Sequence, residues 1–445
     1  MTRLYEPLAY TDRPIQDRYW SRFLPQDPDQ PPPLTGHQQA EVAIIGAGYT
    51  GLSAAIQLAD AGVDVAVLDA NGPGWGASGR NGGLVSVGSA KLEDARIRQT
   101  YGAADAQVFF DAERAAVSLV ETYIDRFDLD VDRHSRGYTY LAHSPAAVGD
   151  LHAYGREYSD RYGLDYEYIP KAEMPAHGLN SPDLHGAVTL PIGFALNPMK
   201  FVLGLTGAAR RAGARLVHNS PVSRVEQHDG QHLLVTPNGS LRAKTLLICT
   251  NGYSADTVPS ALAARYLPVQ SNILVTRTLR EAELAAQGWT SDQMCVDSRR
   301  LLHYFRLLPD RRMLFGLRGS VRVNERSMRA TEARARADFD RMFPAWRDVE
   351  TEYFWSGLIC LTRSLVPFVG PIPGLAQAYA GLGFHGSGVT MAPYAGALLA
   401  DLVLGRQARP HPDLMKRAPK RFELGRWRRG ALPLAFAYYG LRDRM

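Results

Sequence analysis

Residues 41–70 read EVAIIGAGYTGLSAAIQLADAGVDVAVLDA, and this stretch decides the fold. Val42-Ala43-Ile44-Ile45 is an apolar run of strand length, followed at once by the turn Gly46-Ala47-Gly48. Leu52, Ile56 and Leu58 recur at helical spacing up to Asp60, Gly62 ends the helix, and Val63, Val65, Val67 and Leu68 form a second strand. Strand, glycine turn, helix and strand make a βαβ unit whose helix N-terminus faces whatever sits at the turn. Gly46 permits the sharp exit from the strand, Gly48 lets the backbone approach a pyrophosphate, and Gly51 lets helix and strand pack closely. Asp69 ends the second strand 23 residues after Gly46, where a carboxylate accepts hydrogen bonds from a ribose 2′-OH. The unit therefore predicts a bound dinucleotide with an unphosphorylated adenosine ribose, FAD or NAD rather than NADP.

The 445 residues suffice for two domains with full cores, and 45% hydrophobic with 21% charged residues is ordinary globular composition. The net charge of +5 gathers at one end: residues 409–445 carry ten Lys/Arg against three Asp/Glu. The body is therefore not a nucleic-acid surface, and only the tail is basic. Cys249, Cys295 and Cys360 stand too far apart for a disulfide framework or a metal site, and Cys249 lies in an apolar, core-like run. The first 40 residues lack a signal-type apolar segment, and no apolar run reaches the roughly 18 residues of a membrane span. A cytoplasmic location is the expectation.

Directly after Asp69-Ala70 comes GPGWGASGRNGG, residues 72–83, with six glycines among twelve residues. It offers backbone N–H groups, the Ser78 hydroxyl, the Arg80 guanidinium and the Asn81 amide, a set suited to a phosphate and a polar heteroaromatic edge. Taken together, AIIGAGYTGLSAA and GWGASGRNGG resemble the FAD-dependent amine and amino-acid oxidoreductases of the D-amino-acid oxidase and glycine oxidase superfamily. The nearest subgroup is the one that contains γ-glutamylputrescine oxidase. The resemblance extends to Thr250-Asn251-Gly252-Tyr253, to His303-Tyr304-Phe305-Arg306 with Leu314-Phe315-Gly316, and to residues 381–388, GLGFHGSG.

The resemblance implies noncovalent FAD held by three separated blocks. Gly46, Gly48, Gly51, Asp69 and Ala70 would hold pyrophosphate and ribose, while Ala77, Ser78, Arg80, Asn81, Gly82 and Gly83 reach toward the isoalloxazine. Val222 would meet the adenine edge, with Thr250, Asn251 and Gly252 nearby. Gly383, His385, Gly386, Ser387, Gly388, Val389 and Thr390 would lie at the pyrimidine end, where a helix N-terminus stabilises charge on reduced flavin. The family often carries an Asp three residues before the following proline; here Ser364 precedes Pro367. Cys360 is expected to remain unattached to the flavin.

The expected fold class is α/β, a discontinuous Rossmann-like FAD-binding domain plus a mixed or antiparallel-sheet α+β substrate domain. Residues 1–40 read as an arm and a stiff proline linker. Residues 41–100, 191–255 and 356–405 read as the FAD domain, 101–190 and 256–355 as the substrate domain, and 406–445 as a basic tail packed on the FAD domain or touching an anionic membrane surface. Helices are expected at 103–127, 198–212, 324–342 and 392–404, and a strand at 352–355.

Along residues 301–308, alternation puts His303, Phe305 and Leu307 on one face, with Tyr304 and Arg306 on the other. A Tyr and an Arg facing a flavin can orient a carboxylate or carbonyl. Residues 245–415 contain no lysine, so a cation beside the flavin would come from Arg306 or His385. The implied reaction is oxidation of an amine or amino-acid C–N bond, with hydride passing to flavin and hydrolysis of the imine. The partners are a small amine and either oxygen or an electron carrier. A quinone-linked amine dehydrogenase, an NAD enzyme and a non-catalytic flavin protein are the competing readings.

Overall fold

The computed structural model describes residues 2–25 and 32–443; the proline linker lies partly outside the described residues. The first strand, Gly36–Ile45, pairs in parallel with Val65–Leu68 on one side and Gly239–Ile248 on the other. It begins at Gly36, ahead of the apolar run, because the pairing with Gly239 carries the ladder into the polar residues His37, Gln38 and Gln39. The sheet order is Phe368–Pro371, Ala378–Leu382, Gly239–Ile248, Gly36–Ile45, Val65–Leu68, Arg215–Val217, with the hairpin Arg224–His228 and Gln231–Val235 added at Gly239–Ile248. Val42, Ile44, Leu52, Ile56, Val67, Leu398 and Leu399 share one core beneath it. Each such fully buried aliphatic side chain contributes about 1.5–3 kcal/mol. The Tyr49–Asp60 helix of the βαβ unit packs there on the Gly388–Leu404 helix.

A second eight-stranded sheet is antiparallel throughout except where Met294–Asp297 pairs in parallel with Tyr138–Leu141. Its core is aromatic: Trp289, Phe305, Phe315, Phe339, Phe343 and Trp346 are fully buried together. The Glu325–Met342 helix covers that core, and the Asn324 side chain accepts from the Ser327 backbone N–H to cap it. Two sheets with helices, the first assembled from distant segments, are the α/β architecture expected above.

Three expectations need correction. The strand expected at 352–355 runs from Thr351 to Thr362, paired throughout with Tyr266–Thr276, so residues 356–362 belong to the second sheet. The Ala103–Phe127 helix has the expected bounds but packs on the Gly388–Leu404 helix, because its apolar stripe, including Phe110, Val117 and Val120, matches the first core. The tail divides between the sheets: Leu414 and Met415 pack into the first core and His411 meets Val369 O, as expected, while its end packs on the second sheet. Leu432 and Phe436 meet Leu267 and Val269, and Arg428 donates to Tyr266 O and to the Asp256 carboxylate.

Candidate active site

A crevice opens at the C-terminal ends of the parallel strands of the first sheet. Of the residues expected from sequence, Gly46, Gly48, Asp69, Ala70, Ala77, Ser78, Asn81, Val222, Thr250, Asn251, His385, Gly386, Gly388 and Val389 line it. The βαβ helix starts there with Gly48 as its N-cap and no side-chain cap from that residue; only Ser78 Oγ, accepting from Tyr49 N at 3.0 Å, meets its first turn. Asp69 accepts backbone N–H groups of Ala47 at 2.7 Å and Asn71 at 2.9 Å, which fixes the carboxylate at the crevice wall; burial raises its pKa. At the other end the Gly388–Leu404 helix also lacks a side-chain cap, leaving first-turn N–H groups for a ligand. Two helix N-termini with open first-turn N–H groups, a glycine-lined approach and an anchored acid together fit FAD.

Other expected residues shape the crevice from outside. A Cβ on Gly51 would stand 1.9 Å from Gly46 O, so Gly51 is where helix and strand touch. Gly252, Gly383, Ser387 and Thr390 lie behind the lining: Gly383 N–H donates to Asn251 Oδ1, Ser387 Oγ donates to Gly88 O, and Thr390 Oγ1 accepts from Ser86 N. Asn81 braces the glycine stretch, donating to Ala77 O and Ser78 O and accepting from Gly83 N. Arg80 departs from expectation. It donates to Trp75 O and Ser356 O and stacks over Trp75, tying the stretch to the second sheet rather than meeting a phosphate. The N-terminal arm grips the same stretch, with Arg18 donating to Gly74 O and Gly79 O and Trp20 Nε1 to Asn81 O.

The proposed cations fare differently. Arg306 does lie opposite His303 and Phe305, as the alternation requires, but it is 0% exposed. Its guanidinium donates to Gly82 O and Leu196 O and to His134 Nε2 at 2.6 Å, and burial lowers its pKa to about 9. Arg306 therefore fixes Gly82 and Gly83 in place and offers no open face to a substrate. Burial and then Arg306 lower the His134 pKa to about 4, which keeps that ring neutral and accepting. His385 is also neutral: burial, then Lys91, lower its pKa to about 3. Its Nδ1 donates to Ser89 O at 2.9 Å and its Nε2 accepts from Thr362 N at 3.1 Å, so neither nitrogen is free as a base or a cation. Tyr304 packs its ring 2.9 Å from where a Gly82 Cβ would be, and its hydroxyl lies 3.1 Å from Ser271 Oγ.

Two cations that carried no signal in the sequence stand there instead. Arg318, at the end of the Met313–Arg318 strand, places Nη2 3.8 Å from the Cβ position of Gly386, and its guanidinium makes no hydrogen bond or ion pair among the described residues. Lys91 is exposed by surface area, yet burial, then Arg318, lower its pKa to about 8. Its ammonium meets only Gly88 O, at 3.4 Å. The nearby carboxylate, Glu113, is taken by Gly88 N, Ser89 N, Ser89 Oγ and Tyr162 OH. Beyond Gly88 the rings of Tyr158, Tyr154 and Tyr140 stack in turn at 4.3 and 4.0 Å, half-buried, with burial raising their hydroxyl pKa values.

Fold and crevice define an α/β dinucleotide-binding protein with Arg318 and Lys91 beside its last glycine loop. Residues 41–402 match the FAD dependent oxidoreductase (DAO) family, and the chain belongs to that family. It is 32% identical over 423 residues, 94% of this chain and 96% of the relative, to a probable oxidoreductase OrdL of Rhizobium meliloti. It is 31% identical over 407 residues, 91% of this chain and 93% of the relative, to the γ-glutamylputrescine oxidoreductase of Escherichia coli. The glycine oxidase structure from Geobacillus kaustophilus superposes with a TM-score of 0.70 at 20% identity, covering 86% of this chain and 100% of that one.

Proposed function

We propose that this FAD-dependent oxidoreductase oxidises the C–N bond of a primary or secondary amine or amino acid that also carries an anionic group, and that it falls in the γ-glutamylputrescine oxidase subgroup. The observation that carries the substrate class is the pair Arg318 and Lys91, two cations without carboxylate partners beside the glycine loop of residues 383–388. An unpaired guanidinium beside a ligand-binding loop suits a carboxylate, bidentate when the geometry allows. FAD, when bound, supplies the two-electron acceptor. The protein's own part is to bind, orient and exclude water. The two cations also disfavour the ammonium form of the substrate, which must lose its proton to give up hydride. His385 is not free to take that proton, since both its nitrogens are engaged, and the amine is expected to enter neutral.

The sign of the pH dependence follows. The value of kcat/KM rises as the substrate amine deprotonates and falls as Lys91 loses its charge near pH 8. Anaerobic mixing of holoenzyme with amines and amino acids, read by loss of visible flavin absorbance, tests the reaction. Arg318→Met should raise KM for the anionic amine about tenfold to a hundredfold, the worth of one charge-assisted hydrogen bond, and Lys91→Met should flatten the alkaline limb. Equal bleaching by amines with and without a carboxylate would overturn the substrate class. No bleaching by any amine would overturn the reaction. Stopped-flow reoxidation by oxygen separates an oxidase from an enzyme that passes electrons to a carrier.

A further inference from the structure

Six of the eight large hydrophobic side chains exposed among the described residues lie in the last 22 positions: Leu424, Trp427, Leu434, Tyr438, Tyr439 and Leu441. Three fall on one face of the Leu432–Arg442 helix at i, i+4 and i+7: Leu434 is 78% exposed, Tyr438 58% and Leu441 62%. The opposite face is already anchored, through buried Leu432, through Phe436 and through Asp443, which accepts from Arg300 N and Leu301 N. The outward stripe is therefore held in place and covered by none of the described residues.

Charge indicates what covers it. Pro433 and Phe436 of this helix form one wall of a groove whose other wall carries Arg322, just before the Glu325–Met342 helix, and Arg326 and Arg334 within it. Arg322 and Arg326 are exposed and make no ion pair among the described residues. Lys420, Arg421, Arg426 and Arg442 are likewise exposed without a carboxylate, whereas Glu423 is held by Arg363. A second copy of the chain would set arginine against arginine; an anionic bilayer neutralises them while taking up the leucines and seating Trp427 and Tyr438 at its interface. Among the described residues no helix is long and apolar enough to cross a membrane, so the contact is peripheral. We propose that the C-terminal helix and the adjoining arginine groove dock this protein on an anionic lipid surface. The groove begins at Gly319, next in sequence to Arg318.

Full-length holoenzyme sedimented with phosphatidylcholine vesicles, with and without phosphatidylglycerol, tests this. Binding is expected only with phosphatidylglycerol and is released by salt. It should weaken about tenfold or more in Leu434→Glu/Leu441→Glu and in Arg322→Glu/Arg326→Glu. Flavin content and Tm should be unchanged, since all four positions are exposed. Equal binding to both vesicle types, or to neither, overturns the proposal. So does a dimer in light scattering that Leu434→Glu/Leu441→Glu dissociates, which would make the face a self-interface.

Discussion

At the first glycine turn a single methyl group separates what folds from what binds. A Cβ on Gly51 would lie 1.9 Å from Gly46 O and cannot be accommodated, whereas one on Gly48 meets only Ser78 Oγ, at 2.9 Å, a side-chain atom that can move. Gly48→Val should therefore fold and place its branches in the crevice, weakening FAD about tenfold to a hundredfold, as small-to-large changes in packed sites do. The ratio of visible to ultraviolet absorbance after purification checks it, and a fully yellow variant would remove the pyrophosphate from this turn. The spacing of Gly46, Gly48, Gly51 and Asp69 was legible because those contacts lie within one βαβ unit. The role of Arg306 was not. Alternation placed it opposite His303 correctly, but Gly82 O and Leu196 O, which absorb its guanidinium, come from over a hundred residues away.

Among elements, the helices Tyr49–Asp60 and Gly388–Leu404 matter most, because both N-termini face the crevice and the two pack on each other. They approach closely at Gly396, where a Cβ would stand 2.2 Å from Thr50 O and 2.8 Å from Ala54 N. Gly396→Val must push the helices apart, at about 3 kcal/mol or more. A lower denaturant midpoint together with faster FAD loss on dilution is the expected result, and an unchanged midpoint would show that the helices do not meet there. Helix positions were readable from the 3.6-residue period, as at Ala103–Phe127 and Glu325–Met342. Which layer a helix joins was not, because an apolar stripe fits either core. Strand ends were the least readable: the ladder fixes Gly36 and Thr362 through partners 203 and 96 residues distant, at Gly239 and Tyr266.

On the scale of the molecule, the crevice is closed by parts from the whole chain: the N-terminal arm supplies Arg3 and Tyr10, and the second sheet supplies Leu358, Ile359 and Cys360. Burial pushes the Cys360 thiol up to about 12, so it stays protonated in the crevice wall and is a poor nucleophile. Acid precipitation should leave the yellow colour in the supernatant, consistent with noncovalent FAD; colour in the pellet would place a linkage at the crevice. The sequence by itself determined the βαβ unit, the glycine blocks and the basic tail, since these depend on residue type at short fixed spacing. Only the tertiary structure decided which charges are engaged and which are left without a partner. Lys91 and Arg318 lie in stretches of no distinctive pattern, while Arg306 and His385 lie in motifs. What separates them is desolvation and the presence of partners, which folding sets by bringing distant segments together.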